Sequence, residues 1–317
     1  MISKFTDLGI SEDIAKAMDD MGWEEPTPIQ VGAVPMGLKG TDMFAQAQTG
    51  TGKTGAFGSI VLGQVPAGEK LPSAIIVVPT RELATQVSDE FDRMSRYTGH
   101  VTVPIYGAAS IEGQINKLDK GADIIAGTPG RVRDMITRRV LDMSEISIVV
   151  LDEADRMLDM GFIEDIEFIL DSMPTVRQTL LFSATMPEDI KRLAYDYMRK
   201  PKEISVSKDE VVLDLTKQYY ISVGRRNKSW ALCRILDMDK PKAIIFCQTK
   251  RMVDILEERL DKLRYKVEAI HGDMPQTKRE RVLRDFKEDR TDILIATDVA
   301  ARGLDIDDIS YVINYDM

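Results

Sequence analysis

Cysteine and histidine are nearly absent, two of each in 317 residues, and that scarcity removes whole classes of chemistry. Cys233 and Cys247 cannot build a disulfide framework, and with only His100 and His271 beside them no zinc-like ligand cluster is available. Both cysteines are expected to be reduced, buried and apolar in behaviour. Long apolar runs are also missing: nothing approaches the roughly eighteen uninterrupted residues that a membrane span needs, so no membrane insertion is expected. Met1 to Ile10 has one lysine and no apolar core of signal-peptide length, which predicts a cytoplasmic protein.

An excess of positive charge is lacking too. The net charge of -10 argues against binding nucleic acid through a general basic surface. The charge is uneven, however: residues 213–317 carry 20 Lys and Arg against 19 Asp and Glu, leaving 22 against 33 to residues 1–212. Any nucleic-acid contact must therefore be local and geometrically specific.

What is present is an alternation of short β-branched runs with helical patterns. The runs Ala74 to Val78, Val101 to Tyr106, Asp123 to Ala126, Ile146 to Leu151 and Thr179 to Phe182 predict a buried parallel sheet. Leu83, Val87, Phe91 and Met94, at helical spacing, form the apolar stripe of a covering helix. A second series, Tyr219 to Val223, Ala243 to Cys247, Val267 to Ile270, Asp292 to Ala296 and Tyr311 to Asn314, predicts a second sheet of the same kind. The polar, acidic stretch between the two series places a linker at 207–212, so the expected domains are 1–206 and 213–317.

Ala47-Gln48-Thr49-Gly50-Thr51-Gly52-Lys53-Thr54 fits a phosphate-binding loop, with Ala47 in place of the first glycine. Thr49, Gly50, Thr51 and Gly52 would turn backbone N–H groups toward phosphates, and the following helix would add its positive end. Lys53 is placed to reach the β and γ phosphates of ATP, and Thr54 to ligate Mg²⁺. Farther on, the apolar strand ending at Leu151 delivers Asp152-Glu153-Ala154-Asp155 to the C-terminal edge of the sheet, where α/β folds bind ligands. Asp152 is expected to hold Mg²⁺ and Glu153 to orient water, because adjacent carboxylates are costly to bury without a cation. Metal, phosphate cradle and oriented water are three of the four needs of phosphoryl transfer.

The run Asp152 to Asp155 spells the motif that names the DEAD-box ATP-dependent RNA helicases, and the chain resembles that family in motif order and spacing from Phe5 to its last residue. The resemblance implies an α/β protein of two RecA-like P-loop domains, each a parallel sheet covered by helices. Gly22 to Gln30 looks like the family's Q motif, with the isolated Phe5 upstream, so Phe5 and Gln30 are implied in adenine recognition. The chemistry agrees, since a carboxamide can bond both N6 and N7 of adenine.

Pro79-Thr80-Arg81, Gly107 and Thr128-Pro129-Gly130-Arg131 match the family's RNA-contact segments in the first domain, and Thr249, Arg279 and Thr297 match those in the second. Hydroxyls, helix N-termini and arginines suit the sugar-phosphate backbone, so a single RNA strand is the implied partner, gripped without base reading. Ala108 stands where relatives have a second glycine. Ser183-Ala184-Thr185 matches the segment that links the nucleotide site to strand separation, its hydroxyls suited to bonding Asp155. Gly303 and Asp305 are implied in closing over ATP, and His271 is read as positioning its loop. The family's arginine-rich segment, which supplies an arginine finger, is expected beyond the Val312 to Tyr315 strand. Twelve residues follow Asp305 and none is Arg, so the second domain is expected to be C-terminally incomplete and turnover by the chain as given to be poor.

The implied function is an RNA-dependent ATPase that closes two domains on ATP, Mg²⁺ and one RNA strand to separate short duplexes. A nucleotide-gated RNA clamp with little turnover is the alternative. A DNA helicase or translocase is a third reading, disfavoured by the pairing of Gln30 with Asp152 to Asp155.

Overall fold

A strand buried on both faces must be apolar at every position, because its alternate side chains feed opposite sides of the sheet. The strand Ala74–Val77 obeys this rule. Ala74 and Ile76 enter a core with Phe57, Phe91 and Phe182, while Ile75 and Val77 enter a second core with Met135, Val149 and Leu151. The aromatic rings of the first core lie against one another, Phe57 being 6.0 Å from Phe91 and 5.4 Å from Phe182 between centroids.

The computed structural model describes residues 4–48, 50–205, 217–297, 306 and 308–316. The chain folds as two compact units, Met1–Leu215 and Thr216–Met317. In the first unit a short 3-10 turn at Phe5–Leu8 precedes α1 (Glu12–Asp20), α2 (Pro28–Gly37), β1 (Met43–Gln46), α3 (Lys53–Gln64), β2 (Ala74–Val77), α4 (Arg81–Met94), β3 (Thr102–Ile105) and α5 (Ile111–Leu118). There follow β4 (Ile124–Gly127), α6 (Pro129–Thr137), β5 (Ile148–Asp152), α7 (Ala154–Asp159), α8 (Ile163–Asp171), β6 (Gln178–Ser183), α9 (Glu188–Tyr197) and β7 (Lys202–Ser205). The sheet is parallel throughout, in the order β3-β4-β2-β5-β6-β1-β7.

The second unit contains α10 (Lys228–Asp239), β8 (Ala243–Cys247), α11 (Lys250–Lys262), β9 (Val267–Ile270), α12 (Gln276–Lys287), β10 (Ile293–Thr297) and β11 (Tyr311–Asn314). Its parallel sheet runs β11-β8-β10-β9. Both expected sheets therefore exist, and the stripe Leu83, Val87, Phe91 and Met94 is buried along α4.

Three expectations are corrected. Tyr219 to Val223 forms no strand: it pairs with none of the described strands, and Tyr219 and Tyr220 stand 84% and 90% exposed. Aromatic and β-branched composition favours a strand only where an edge is there to pair with. β1 and β7 carry no strand signature in the sequence, because Met-Phe-Ala-Gln has no β-branched residue and Lys-Glu-Ile-Ser is an edge strand with two charges. Cys247 is buried in β8, but Cys233 is only half-buried, because α10 turns Leu232 and Leu236 into the core and leaves Cys233 packed at its margin. The expected linker at 207–212 lies outside the described residues.

Register decides what gathers at the C-terminal edge. In the first unit Gln46 lies level with Ser183, and Asp152 with Phe182, so the ends of β1, β5 and β6 form one group. Ile105, Gly127 and Val77 end β3, β4 and β2 at matching levels and form the other.

Candidate functional site

Each loop leaving the β1-β5-β6 group carries a residue of the expected nucleotide site. After β1, the Ala47 amide is tied to the Ser183 carbonyl at 2.9 Å, and the chain turns through Gly50 and Gly52 at φ of 80° and 89°. These are left-handed conformations that cost glycine little. A Cβ at Gly52 would fall 2.7 Å from Thr27 Oγ1 and 2.9 Å from Gln30 Nε2, so the loop lies hard against the start of α2. Thr51 Oγ1 braces the turn by donating to the Gln48 carbonyl at 2.7 Å. Thr49 lies outside the described residues.

Lys53 opens α3 and is 6% exposed. Its Nζ is 3.6 Å from Asp152 Oδ1 and, among the described residues, makes no hydrogen bond. A buried ammonium with three donors and one distant carboxylate is poorly satisfied by the protein itself. Asp152, 2% exposed at the end of β5, is in the matching position. Burial pushes its pKa above the ordinary carboxylate value, the Lys53 charge opposes this, and Glu153 adds to it. The two groups compensate each other in charge but leave ammonium donors and carboxylate lone pairs unused, which polyphosphate and a divalent cation would engage together. Thr54, beside Lys53 in the first turn of α3 and half-buried, completes the donor set for such a cation. Magnesium is ordinarily held by one or two protein ligands with phosphate and water supplying the rest, so these residues fit it.

Glu153 adopts a left-handed backbone at φ 53° and donates its amide to Asp152 Oδ1 at 2.9 Å. Its carboxylate is ion-paired with Arg156, one helical turn on. Arg156 Nε and Nη2 are buried without hydrogen-bond partners among the described residues, so the guanidinium is committed to Glu153 alone. Asp155 behaves differently. Its carboxylate Oδ2 accepts from Thr185 Oγ1 at 2.7 Å and from the Thr185 amide at 2.9 Å, and its amide donates to Ser183 Oγ at 3.0 Å. Burial pushes the Asp155 carboxyl up, but bonds from Thr185, Ser183 and the backbone outweigh it and hold the group below its ordinary value. The expected link between Ser183, Thr185 and Asp155 is therefore present as three hydrogen bonds.

Gln30 sits in the first turn of α2. Its Oε1 accepts from the Thr27 amide at 2.8 Å, closing the helix start, and its Nε2 donates to the Gly52 carbonyl at 3.2 Å. A carboxamide has four hydrogen-bonding positions. One acceptor and one donor position remain, the pair that N6 and N7 of adenine require. Phe5 is buried with its ring centroid 6.5 Å from that of Trp23, and a Cβ at Gly55 would strike both Trp23 (2.6 Å) and Gln30 (2.5 Å). The structure thus brings Phe5, Trp23 and Gln30 together against α3.

The expected nucleic-acid contacts leave the β3-β4-β2 group. Thr80 caps α4, accepting from the Leu83 amide at 3.3 Å, between Pro79 and Arg81. Thr128 precedes α6, whose first turn holds Gly130 and Arg131. Gly107 follows β3, and Ala108 takes a left-handed φ of 55°. The alanine keeps the backbone that glycine would adopt, at a cost of about 1 kcal/mol. In the second unit Thr249 caps α11, accepting from Met252 at 3.2 Å, and Thr297 ends β10 level with Cys247 of β8. Arg279 lies on α12. His271 Nε2 is 3.0 Å from Asp254 Oδ1, consistent with positioning the loop after β9. Gly303 and Asp305 lie outside the described residues.

The profile of the DEAD/DEAH box helicases matches residues 27–193, and that of the helicase conserved C-terminal domain matches residues 227–317. The chain belongs to the DEAD/DEAH box helicase family. It is 48% identical to the ATP-dependent RNA helicase CshA of Listeria monocytogenes over all of this chain and 61% of that protein. It is 48% identical to the DEAD-box ATP-dependent RNA helicase CshA of Geobacillus kaustophilus over all of this chain and 68% of that one. The chain thus spans about 60 to 70% of the length of these relatives. Among solved structures, S. cerevisiae Dbp5 bound to RNA and ADP BeF3 superimposes with a TM-score of 0.89 at 32% identity, covering 99% of this chain and 81% of that one.

Two residues of this DEAD-box chain were invisible to motif reading, Arg156 and Gln114. Arg156 could have been found from its i+3 spacing to Glu153. Gln114 carries no such signal, since its partners are backbone groups, those of Tyr106 eight residues away and of Ser110 four away. No described helix is long and apolar enough to cross a membrane.

Proposed function

We propose that this chain is an RNA-dependent ATPase that uses Mg²⁺-ATP to grip and release one RNA strand by its backbone, closing the two domains to separate short duplexes. The observation that carries the reading is the buried Lys53 ammonium without a hydrogen bond beside the buried Asp152. The names of the CshA relatives and the RNA and ADP BeF3 of the Dbp5 structure support the choice of RNA and ATP.

In this reading Lys53 and the amides after β1 bind the phosphates, and Gln30 reads adenine. Bound Mg²⁺, held by Asp152 and Thr54, would neutralise developing charge on the phosphates. Glu153 orients the attacking water, with Arg156 fixing its carboxylate. The Asp155–Thr185–Ser183 bonds tie β6 to the carboxylate loop, so that a change at the nucleotide is felt at the segment after β6. Pro79, Thr80, Arg81, Gly107, Thr128, Gly130, Arg131, Thr249, Arg279 and Thr297 hold sugar-phosphate, the first seven on the loops and helix starts that follow β2, β3 and β4.

The direct test is ATP turnover with no nucleic acid, with single-stranded RNA and with DNA of the same sequence. Stimulation by RNA alone is the expected result, because a 2′-OH contact is what separates the two. Equal stimulation by DNA would overturn the RNA assignment. Two variants refine the reading. Gln30→Ala is expected to lower the preference for ATP over GTP by about 10-fold, the scale of one bidentate base contact, as measured by competition for turnover. Arg156→Met should lower kcat by about 10- to 100-fold, the scale of a mispositioned reacting group, and leave KM for ATP within a factor of about 2. A matched rise in KM would move Arg156 from positioning to binding.

A further inference from the structure

The loop between β3 and α5 is held from below by a side chain to which no role has yet been assigned. Gln114, on α5, is buried. Its Oε1 accepts from the Tyr106 amide at 3.0 Å, and its Nε2 donates to the Tyr106 carbonyl at 3.1 Å and to the Ser110 carbonyl at 3.4 Å. One carboxamide therefore closes both ends of the loop, much as a facing strand would. A second brace comes from the side, where both terminal nitrogens of Arg131 donate to the Ala109 carbonyl at 3.4 and 3.3 Å.

Apart from the Tyr106 amide, these braces consume acceptors, the carbonyls of Tyr106, Ala109 and Ser110, and leave the donors between them. Among the described residues, no protein group accepts from the amides of Gly107, Ala108 or Ala109. Ala108 turns the chain through a left-handed conformation between them, with φ 55°. Successive amides about a left-handed residue form a concavity that binds anions. Alanine enters this conformation less readily than glycine, so the loop depends on its braces to stay in it.

We infer that Gln114 is a positioning residue for nucleic-acid binding: it holds the 106–110 loop preformed as an amide cradle for one phosphate of the RNA backbone. The inference rests on the RNA-binding reading above and adds a residue that does not itself touch RNA. Without Gln114 the cradle becomes one conformation among several, and affinity falls by the fraction of time it is formed.

The test uses the full chain with Gln114→Ala and Gln114→Glu. Binding of a fluorescein-labelled single-stranded RNA decamer is followed by anisotropy in the presence of ADP BeF3, alongside the Kd of a fluorescent ATP analogue without RNA. Amide exchange at 106–110 is measured in parallel. Gln114→Ala is expected to weaken RNA binding about 10-fold, keep the ATP-analogue Kd within about 2-fold, and speed exchange at 106–110. Gln114→Glu keeps the acceptor for Tyr106 but loses both donors, and it is expected to fall between the two. If Gln114→Ala is too unstable to purify, the Gln114→Glu chain carries the same comparison. RNA affinity equal to wild type in the variants overturns the inference, as does a parallel loss of RNA and ATP binding, which marks a structural role only. Absence of RNA binding by the wild-type chain overturns the functional reading instead.

Discussion

Lys53→Ala is expected to lower ATP turnover by about 10³-fold or more, the upper range for removing one donor aimed at developing charge. The lysine is the first residue of α3, buried, and 3.6 Å from Asp152. Its removal takes away the fixed positive charge for the phosphates. It also strands Asp152, whose pKa burial already raises and whose nearby cation is then gone. Breaking a buried pair from one side leaves an uncompensated charge, so thermal stability should fall as well. Adding Asp152→Asn to Lys53→Ala should restore stability without restoring turnover. Steady-state ATPase and a thermal melt on the two chains measure both effects. Turnover equal to wild type in Lys53→Ala would falsify the phosphate-binding role of the loop after β1.

The second large effect is confined to one step. Glu153→Gln is expected to cut kcat by about 10² to 10⁴, the range for losing a positioned general base, while ATP still binds. Glutamine keeps the length of the side chain, and its carbonyl can still accept from Arg156, so the loop geometry should survive. It cannot accept a proton from water at neutral pH. Single-turnover phosphate release, set beside the Kd of a fluorescent ATP analogue, separates the outcomes. Slow release with unchanged Kd is the expected pattern. Unchanged release would place water orientation on another group, and a weakened Kd would make Glu153 a binding residue.

Much of the nucleotide site was legible in local sequence because its chemistry is local. Gly50, Gly52, Lys53 and Thr54 must follow one another for a loop to cradle phosphate at the start of a helix, and Asp152 and Glu153 must follow an apolar strand. Buried parallel strands also announce themselves, since both faces are apolar: Ala243–Cys247 was readable for that reason. The failures have the same root. Tyr219 to Val223 had strand composition but pairs with none of the described strands, and β1 and β7 are strands by virtue of their neighbours, with β1 joined on both sides. Arg156 and Gln114 act through contacts that no motif records.

By itself, then, the sequence determined the family, the α/β class, and which residue types could meet phosphate, metal and water. Those properties depend on residue identity and short spacing along the chain. Only the tertiary structure decided how the candidates are grouped. The sheet order β3-β4-β2-β5-β6-β1-β7 brings Lys53, Asp152 and Ser183 together from strands far apart in sequence and sets Thr80, Gly107 and Thr128 in a neighbouring group. It also decided that Gln30 grips Gly52 and that Gln114 braces Tyr106. Hydrogen bonds act over about 3 Å in space, whatever the separation along the chain, so strand order and register decide which of them form.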